Sequence, residues 1–82
     1  MLNISKWENR EGKLTKIVSL NSFKEVIVLV NKIAQLAEKQ NHHPDLEIFG
    51  YKNLKIKIST HDVSDITDKD YELAKAIDKL FQ

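Results

Sequence analysis

Two histidines stand side by side at His42-His43, and the third, His61, lies well downstream. Glu38 comes one helical turn before His42, at the spacing for a side-chain contact if a helix extends that far, and Asp62 follows His61 directly. Imidazoles beside carboxylates exchange protons near neutrality, as general acid–base catalysis requires, so a rate carried by them should vary between about pH 5.5 and 8. The same side chains are also good zinc ligands. Metal binding is the weaker use, because consecutive histidines in extended backbone point to opposite faces and no histidine pair recurs at i, i+4. Adjacent loop histidines are by themselves more often surface polar groups than catalysts. The chemical reading therefore depends on whether the chain brings His61 back to the doublet.

The elements that must do this can be read from the pattern. Lys13 to Leu20 alternates, with Leu14, Val18 and Leu20 on one face and Lys16 as the exception, which predicts a strand. It should pair with the segment after Trp7 through a turn at Glu11-Gly12, where glycine adopts positive φ at little cost. Ser22 with Glu25 forms a capping box, and Phe23, Val26, Ile27, Val30, Ile33, Ala34 and Ala37 follow helical spacing. Leu29 and Leu36 fall off that stripe and could serve a second interface. Asn41 is a plausible left-handed cap, and Pro44 bars continuation.

A hairpin of Leu46–Tyr51 and Leu54–Thr60 is expected next, around Lys52-Asn53. A simple two-residue loop would pair Tyr51 with Leu54 and set His61 opposite Pro44. A bulge at Gly50 would instead pair Ile48 with Ile56, Leu46 with Ile58, and His43 with His61. The second register puts the apolar residues together and is preferred. Thr67 then caps a last helix carrying Tyr71, Leu73, Ala74, Ile77, Leu80 and Phe81, with Asp70 read as a capping carboxylate. The expected fold is α+β: a two-layer sandwich of about four antiparallel strands with helices packed on one face.

Composition narrows the function classes. A chain of 82 residues makes one domain, spanning 1–82. It has no cysteine, which removes disulfides, thiolate zinc sites and cysteine nucleophiles. A net charge of +1 with a single arginine, Arg10, offers no broad field for nucleic acid. There is no apolar run long enough to span a membrane and no signal-peptide pattern, so no membrane partner and a cytoplasmic location are expected. Glycine-rich phosphate loops and serine or threonine nucleophile settings are missing from the sequence as well.

Against this background, one string of residues resembles the pterin-4a-carbinolamine dehydratases. It comprises Glu38, His42-His43-Pro44, Tyr51, His61 and Asp70, with Trp7 and Glu11-Gly12-Lys13-Leu14 upstream and Ser59-Thr60-His61-Asp62 around the third histidine. The resemblance covers roughly residues 7 to 81. It implies a hydro-lyase that dehydrates 4a-hydroxytetrahydropterin to quinonoid dihydropterin, recycling the pterin of aromatic amino acid hydroxylation. Neither metal nor cofactor is implied. His42 and His61 would do the acid–base work, His43 would hold the pterin, and Glu38 would orient the cluster. Pro44, Thr60 and Asp62 would line the pocket, with Trp7 as a wall. Self-association as a homodimer or homotetramer is also implied. Departures from the family pattern are Leu46, where many relatives carry an aromatic residue, and one extra residue between Pro44 and Tyr51. The reading from another class is a non-catalytic dimerisation or interaction module with the same fold.

Overall fold

The structure, a computed structural model, describes residues 3–4, 6–60 and 65–81. Its elements run β1 (Asn3–Ile4), β2 (Glu8–Arg10), β3 (Lys13–Ser19), α1 (Phe23–Gln40), β4 (Asp45–Phe49), β5 (Asn53–Ile58) and α2 (Asp68–Asp78), closed by a 3₁₀ turn at Lys79–Phe81. All strand pairs are antiparallel. β1 and β2 lie along the same strand, β3, so the sheet has four ranks: β1 with β2, then β3, β5 and β4. This is the α+β architecture expected from the sequence.

Local chemistry sets each boundary. Glu11 and Gly12 both take the positive φ that a two-residue type I′ hairpin loop needs, at 56° and 78°, and the flanking pair is Arg10 with Lys13. Ser22 caps α1 by accepting the Glu25 amide at 3.2 Å. Thr67 is the N-cap of α2, and its amide donates to Asp70 Oδ2 at 2.8 Å.

The inner sheet face carries Leu14, Val18, Leu54, Ile56 and Ile58, buried against Val26, Leu29 and Ile33 of α1 and Leu73, Ala74 and Ile77 of α2. Lys16 sits on this face as well and is buried. Its ammonium is 2.6 Å from Asp78 Oδ1 and lies over the rings of Trp7 and Phe81, at 5.2 and 5.6 Å from their centroids. The exception to the alternation is thus a lysine whose charge is paired with a carboxylate and flanked by two aromatic rings.

Two expectations are corrected. The buried stripe of α1 is Val26, Leu29, Ile33 and Ala37, while Phe23 and Ile27 are exposed. Leu29 is a core residue and Leu36 packs against the core, so neither supplies a second interface. Spacing alone cannot decide between two overlapping stripes on so apolar a helix.

The second correction is the β4–β5 register. Ile48 pairs with Leu54, Leu46 with Ile56, and Phe49 with Asn53, which closes a three-residue loop at Gly50, Tyr51 and Lys52. Gly50 and Tyr51 both have positive φ, at 55° and 52°, so Gly50 turns the chain rather than bulging a strand. Relative to the expected bulged pairing, Leu46 meets Ile56 instead of Ile58. A shift of two leaves every side chain on its expected face, which is why the apolar match was satisfied by the wrong partners.

Candidate functional site

The site begins where α1 stops. Asn41 turns left-handed at φ 52°, its amide donates to the Glu38 carbonyl, and the His42 amide donates to the Ala37 carbonyl at 3.1 Å. This is the double hydrogen bond of a Schellman motif. It fixes the backbone of His42 against the helix end, and Pro44 then leads into the edge strand β4.

Because the helix does not continue through Asn41, Glu38 meets His43 and not His42. His43 Nε2 lies 2.5 Å from Glu38 Oε2, with both side chains largely exposed, at 56% and 77%. His42 points the other way, 11% exposed, with Nε2 at 2.6 Å from Asp70 Oδ1. The two adjacent imidazoles therefore occupy different surroundings, one sheltered and one wet.

Asp70 is completely buried at the first turn of α2. Besides His42 it takes the Thr67 amide on Oδ2 and stands 3.2 Å from Thr60 Oγ1 through each oxygen. The Thr60 and Thr67 hydroxyls are themselves 2.5 Å apart. A carboxylate can only accept, so the Nε2 hydrogen is assigned to His42. In the neutral ring this leaves the Nδ1 lone pair for proton exchange, and the ring orientation is held by the buried acid. Thr60, expected to line a pocket, fastens the end of β5 to the start of α2 through the same carboxylate.

Beside the doublet is an open polar cleft of about 480 Å³ lined by Lys13, Asn41, His42, His43, Asp45 and Ser59. Pro44 is half-buried between His43 and β4. Trp7 is not among the lining residues; its indole N–H donates to Asp78 Oδ1 at 2.9 Å, at the far end of α2 from Asp70. His61 and Asp62 lie outside the described residues. Among the described residues, no three His, Asp or Glu side chains converge as metal ligands.

The site thus pairs a sheltered, acid-oriented imidazole with an exposed one on a cleft. Over residues 1–80 the sequence also matches the family model described as pterin 4 alpha carbinolamine dehydratase. The chain belongs to that family. A relative from Aquifex aeolicus is 45% identical over 78 residues, covering 95% of this chain and 78% of that protein. One from Sulfolobus acidocaldarius is 38% identical over 77 residues, covering 94% of this chain and 84% of that one. Both are named pterin-4-alpha-carbinolamine dehydratase only provisionally.

Two solved structures share the fold. The transcriptional coactivator/pterin dehydratase from Brucella melitensis superposes with a TM-score of 0.77 at 23% identity, covering 94% of this chain and 80% of that chain. A pterin dehydratase-like protein identified as a RuBisCO assembly factor in the alpha-carboxysome gives 0.73 at 19% identity, covering 93% and 89%.

Asp70 is the capping carboxylate expected from the sequence, taking the Thr67 amide, but its bond to His42 was not foreseen, although a signal was present. Asp70 precedes Leu73, Ala74 and Ile77 by three, four and seven positions, on the buried stripe of its helix. An acid on such a stripe must find donors, and a histidine is the partner that gives the arrangement chemical use.

Proposed function

We propose that this chain is a 4a-hydroxytetrahydropterin dehydratase acting by histidine acid–base catalysis. The C4a hydroxyl takes a proton and leaves as water, while the ring gives up a proton to form quinonoid dihydropterin. His42 and His61 exchange these protons, His43 holds the pterin, and Glu38 orients His43. Pro44, Thr60 and Asp62 shape the pocket, and Trp7 contributes at most its ring face, since its N–H is committed to Asp78. The observation that carries the reading is the sheltered His42 imidazole fixed by buried Asp70 at 2.6 Å on the wall of an open cleft. The reading brings with it a cytoplasmic enzyme that works as a dimer or tetramer in recycling a hydroxylase pterin.

The test is loss of the carbinolamine in a coupled hydroxylase assay, corrected for uncatalysed dehydration. His42→Ala should lower the catalysed rate by ~10²-fold or more. An unchanged rate in that variant would remove His42 from the mechanism and the proposal with it.

A second reading is favoured by one feature. Phe23, Ile27 and Val28 are exposed on α1, and a structural relative is identified as an assembly factor. An interaction module would keep the fold and show no turnover of the carbinolamine.

A further inference from the structure

The histidine cleft does not end at the histidines. Lys13 lines it and also lines a second groove of about 300 Å³ on the outer sheet face, shared with Arg10, Glu11, Thr15, Lys55 and Lys57. The strand registers explain the continuity. Asp45, Lys57, Thr15 and Glu8 form one cross-strand row over β4, β5, β3 and β2. The neighbouring row on the same face runs from His43 and Ser59, just beyond their strand ends, to Lys13 and Arg10, which pair directly. Lys13 stands two ranks from His43, about 10 Å at ~4.8 Å per strand. That is the reach of a ring substituent extending from a bicyclic ring held at the histidines.

The charges along this path are uneven. Arg10, Lys13, Lys55 and Lys57 line the second groove against one carboxylate, Glu11. Arg10 is already paired to Glu8 at 2.8 Å, and the Lys55 ammonium lies over the Phe49 ring. From β4, Asp45 faces Lys57 and Glu47 faces Lys55, yet among the described residues neither Lys13 nor Lys57 has a carboxylate at ion-pair distance. Among the described residues, the Lys13 and Lys57 ammonium groups are therefore free to meet an anion in the groove that adjoins the histidine cleft at Lys13.

We infer that the substrate of this site is a reduced pterin whose side chain carries an anionic group, a phosphate ester or a carboxylate, seated at Lys13 and Lys57. This rests on the dehydratase reading and adds its specificity: the ring lies at the histidines, and the tail crosses Ser59 onto the basic groove. Electrostatic attraction of this kind is screened by salt, since the groove is open to water.

The experiment compares three carbinolamines with the same ring: one with a neutral polyhydroxyl side chain, its phosphate ester, and a glutamyl conjugate. Binding of the corresponding stable dihydropterins is followed in parallel by fluorescence quenching. The unsubstituted chain should favour at least one anionic form over the neutral one by ~10-fold or more in kcat/KM, through KM. Lys13→Gln and Lys57→Gln should collapse that ratio, and 0.5 M salt should do the same. Whichever anion is preferred identifies the tail.

Equal handling of all three substrates, or a preference untouched by both lysine variants, overturns the inference while leaving the dehydratase reading standing. Turnover of none of them removes the dehydratase reading, and the dihydropterin binding ratios then decide the inference separately. Inorganic phosphate bound as tightly as the pterin phosphate would also overturn it, because the groove would then act without the cleft.

Discussion

The two ends of α2 use the same device for different purposes. Asp70 in the first turn and Asp78 in the last each grip two parts of the chain that are distant in sequence. They lie about 12 Å apart along the helix, at 1.5 Å per residue. Asp78 Oδ1 accepts from both the Lys16 ammonium and the Trp7 indole, tying β3 and the N-terminal segment to the helix end. Asp70 accepts from His42, Thr60 and the Thr67 amide, tying α1 and β5 to the helix start. The difference lies in what the partners retain. Lys16 and Trp7 have no basic atom left to offer, whereas His42 keeps a second ring nitrogen beside a cleft. A structural staple becomes a candidate catalytic device when one of its partners has a second functional atom.

Asp70→Ala should give the largest effect. It strands the His42 Nε2–H and the Thr67 amide in a buried site, while the Thr60 hydroxyl keeps that of Thr67, so at about 1–2 kcal/mol each stability should fall by about 2–4 kcal/mol in urea denaturation. Carbinolamine dehydration by the folded fraction should fall ~10²-fold, because His42 loses the group that fixes its tautomer and orientation. Unaltered turnover with reduced stability would place both ends of the helix in the structural class.

Asp78→Ala sharpens the contrast. It leaves the Lys16 ammonium buried without its carboxylate, and about 1–3 kcal/mol of stability should be lost. Turnover by the folded protein should change by less than about threefold, since Asp78 is remote from the histidine cleft. A rate loss equal to that of Asp70→Ala would show that the whole helix, and not its first turn, governs the chemistry. Lys16→Met should cost less still. It removes a buried charge and leaves Asp78, which is partly exposed, hydrated by solvent. The change should stay within about 1 kcal/mol on thermal melting, because an apolar replacement recovers much of what the ion pair supplied.

How much of this was legible depends on the range of each signal. The type I′ loop at Glu11-Gly12, the Ser22 cap and the Asn41 terminator are decided within a few residues, and each was readable. So was the inward face of β3, β4 and β5, because alternation survives a register error of two. The partners on that face were not readable, since the loop at Gly50 and Tyr51 is set by two backbone angles that Tyr51 hides behind an ordinary side chain. At the site, the helix end delivers the histidine doublet as expected, but the Glu38–His42 contact was conditional on the helix reaching His42, and it stops at Gln40. The left-handed turn at Asn41 rotates the next two residues, passing Glu38 to His43 and His42 to Asp70. Long-range pairs such as His42 with Asp70 leave no local pattern, only the oddity of an acid on an apolar stripe.

The smallest effect expected is on the exposed member of the doublet. The Glu38–His43 contact is as short as the His42–Asp70 contact, at 2.5 against 2.6 Å, so distance alone would rank them together. Burial separates them. Water competes for both exposed partners, and such a pair stabilises by less than about 0.5 kcal/mol. Glu38→Gln keeps the reach and a hydrogen-bonding oxygen while removing the charge, so melting should be unchanged within error. Turnover should fall only a few fold, and mainly through KM, if His43 holds substrate as proposed. A kcat loss comparable to that of Asp70→Ala would mean that the wet imidazole moves the decisive proton, reversing the assignment of roles between the two neighbours.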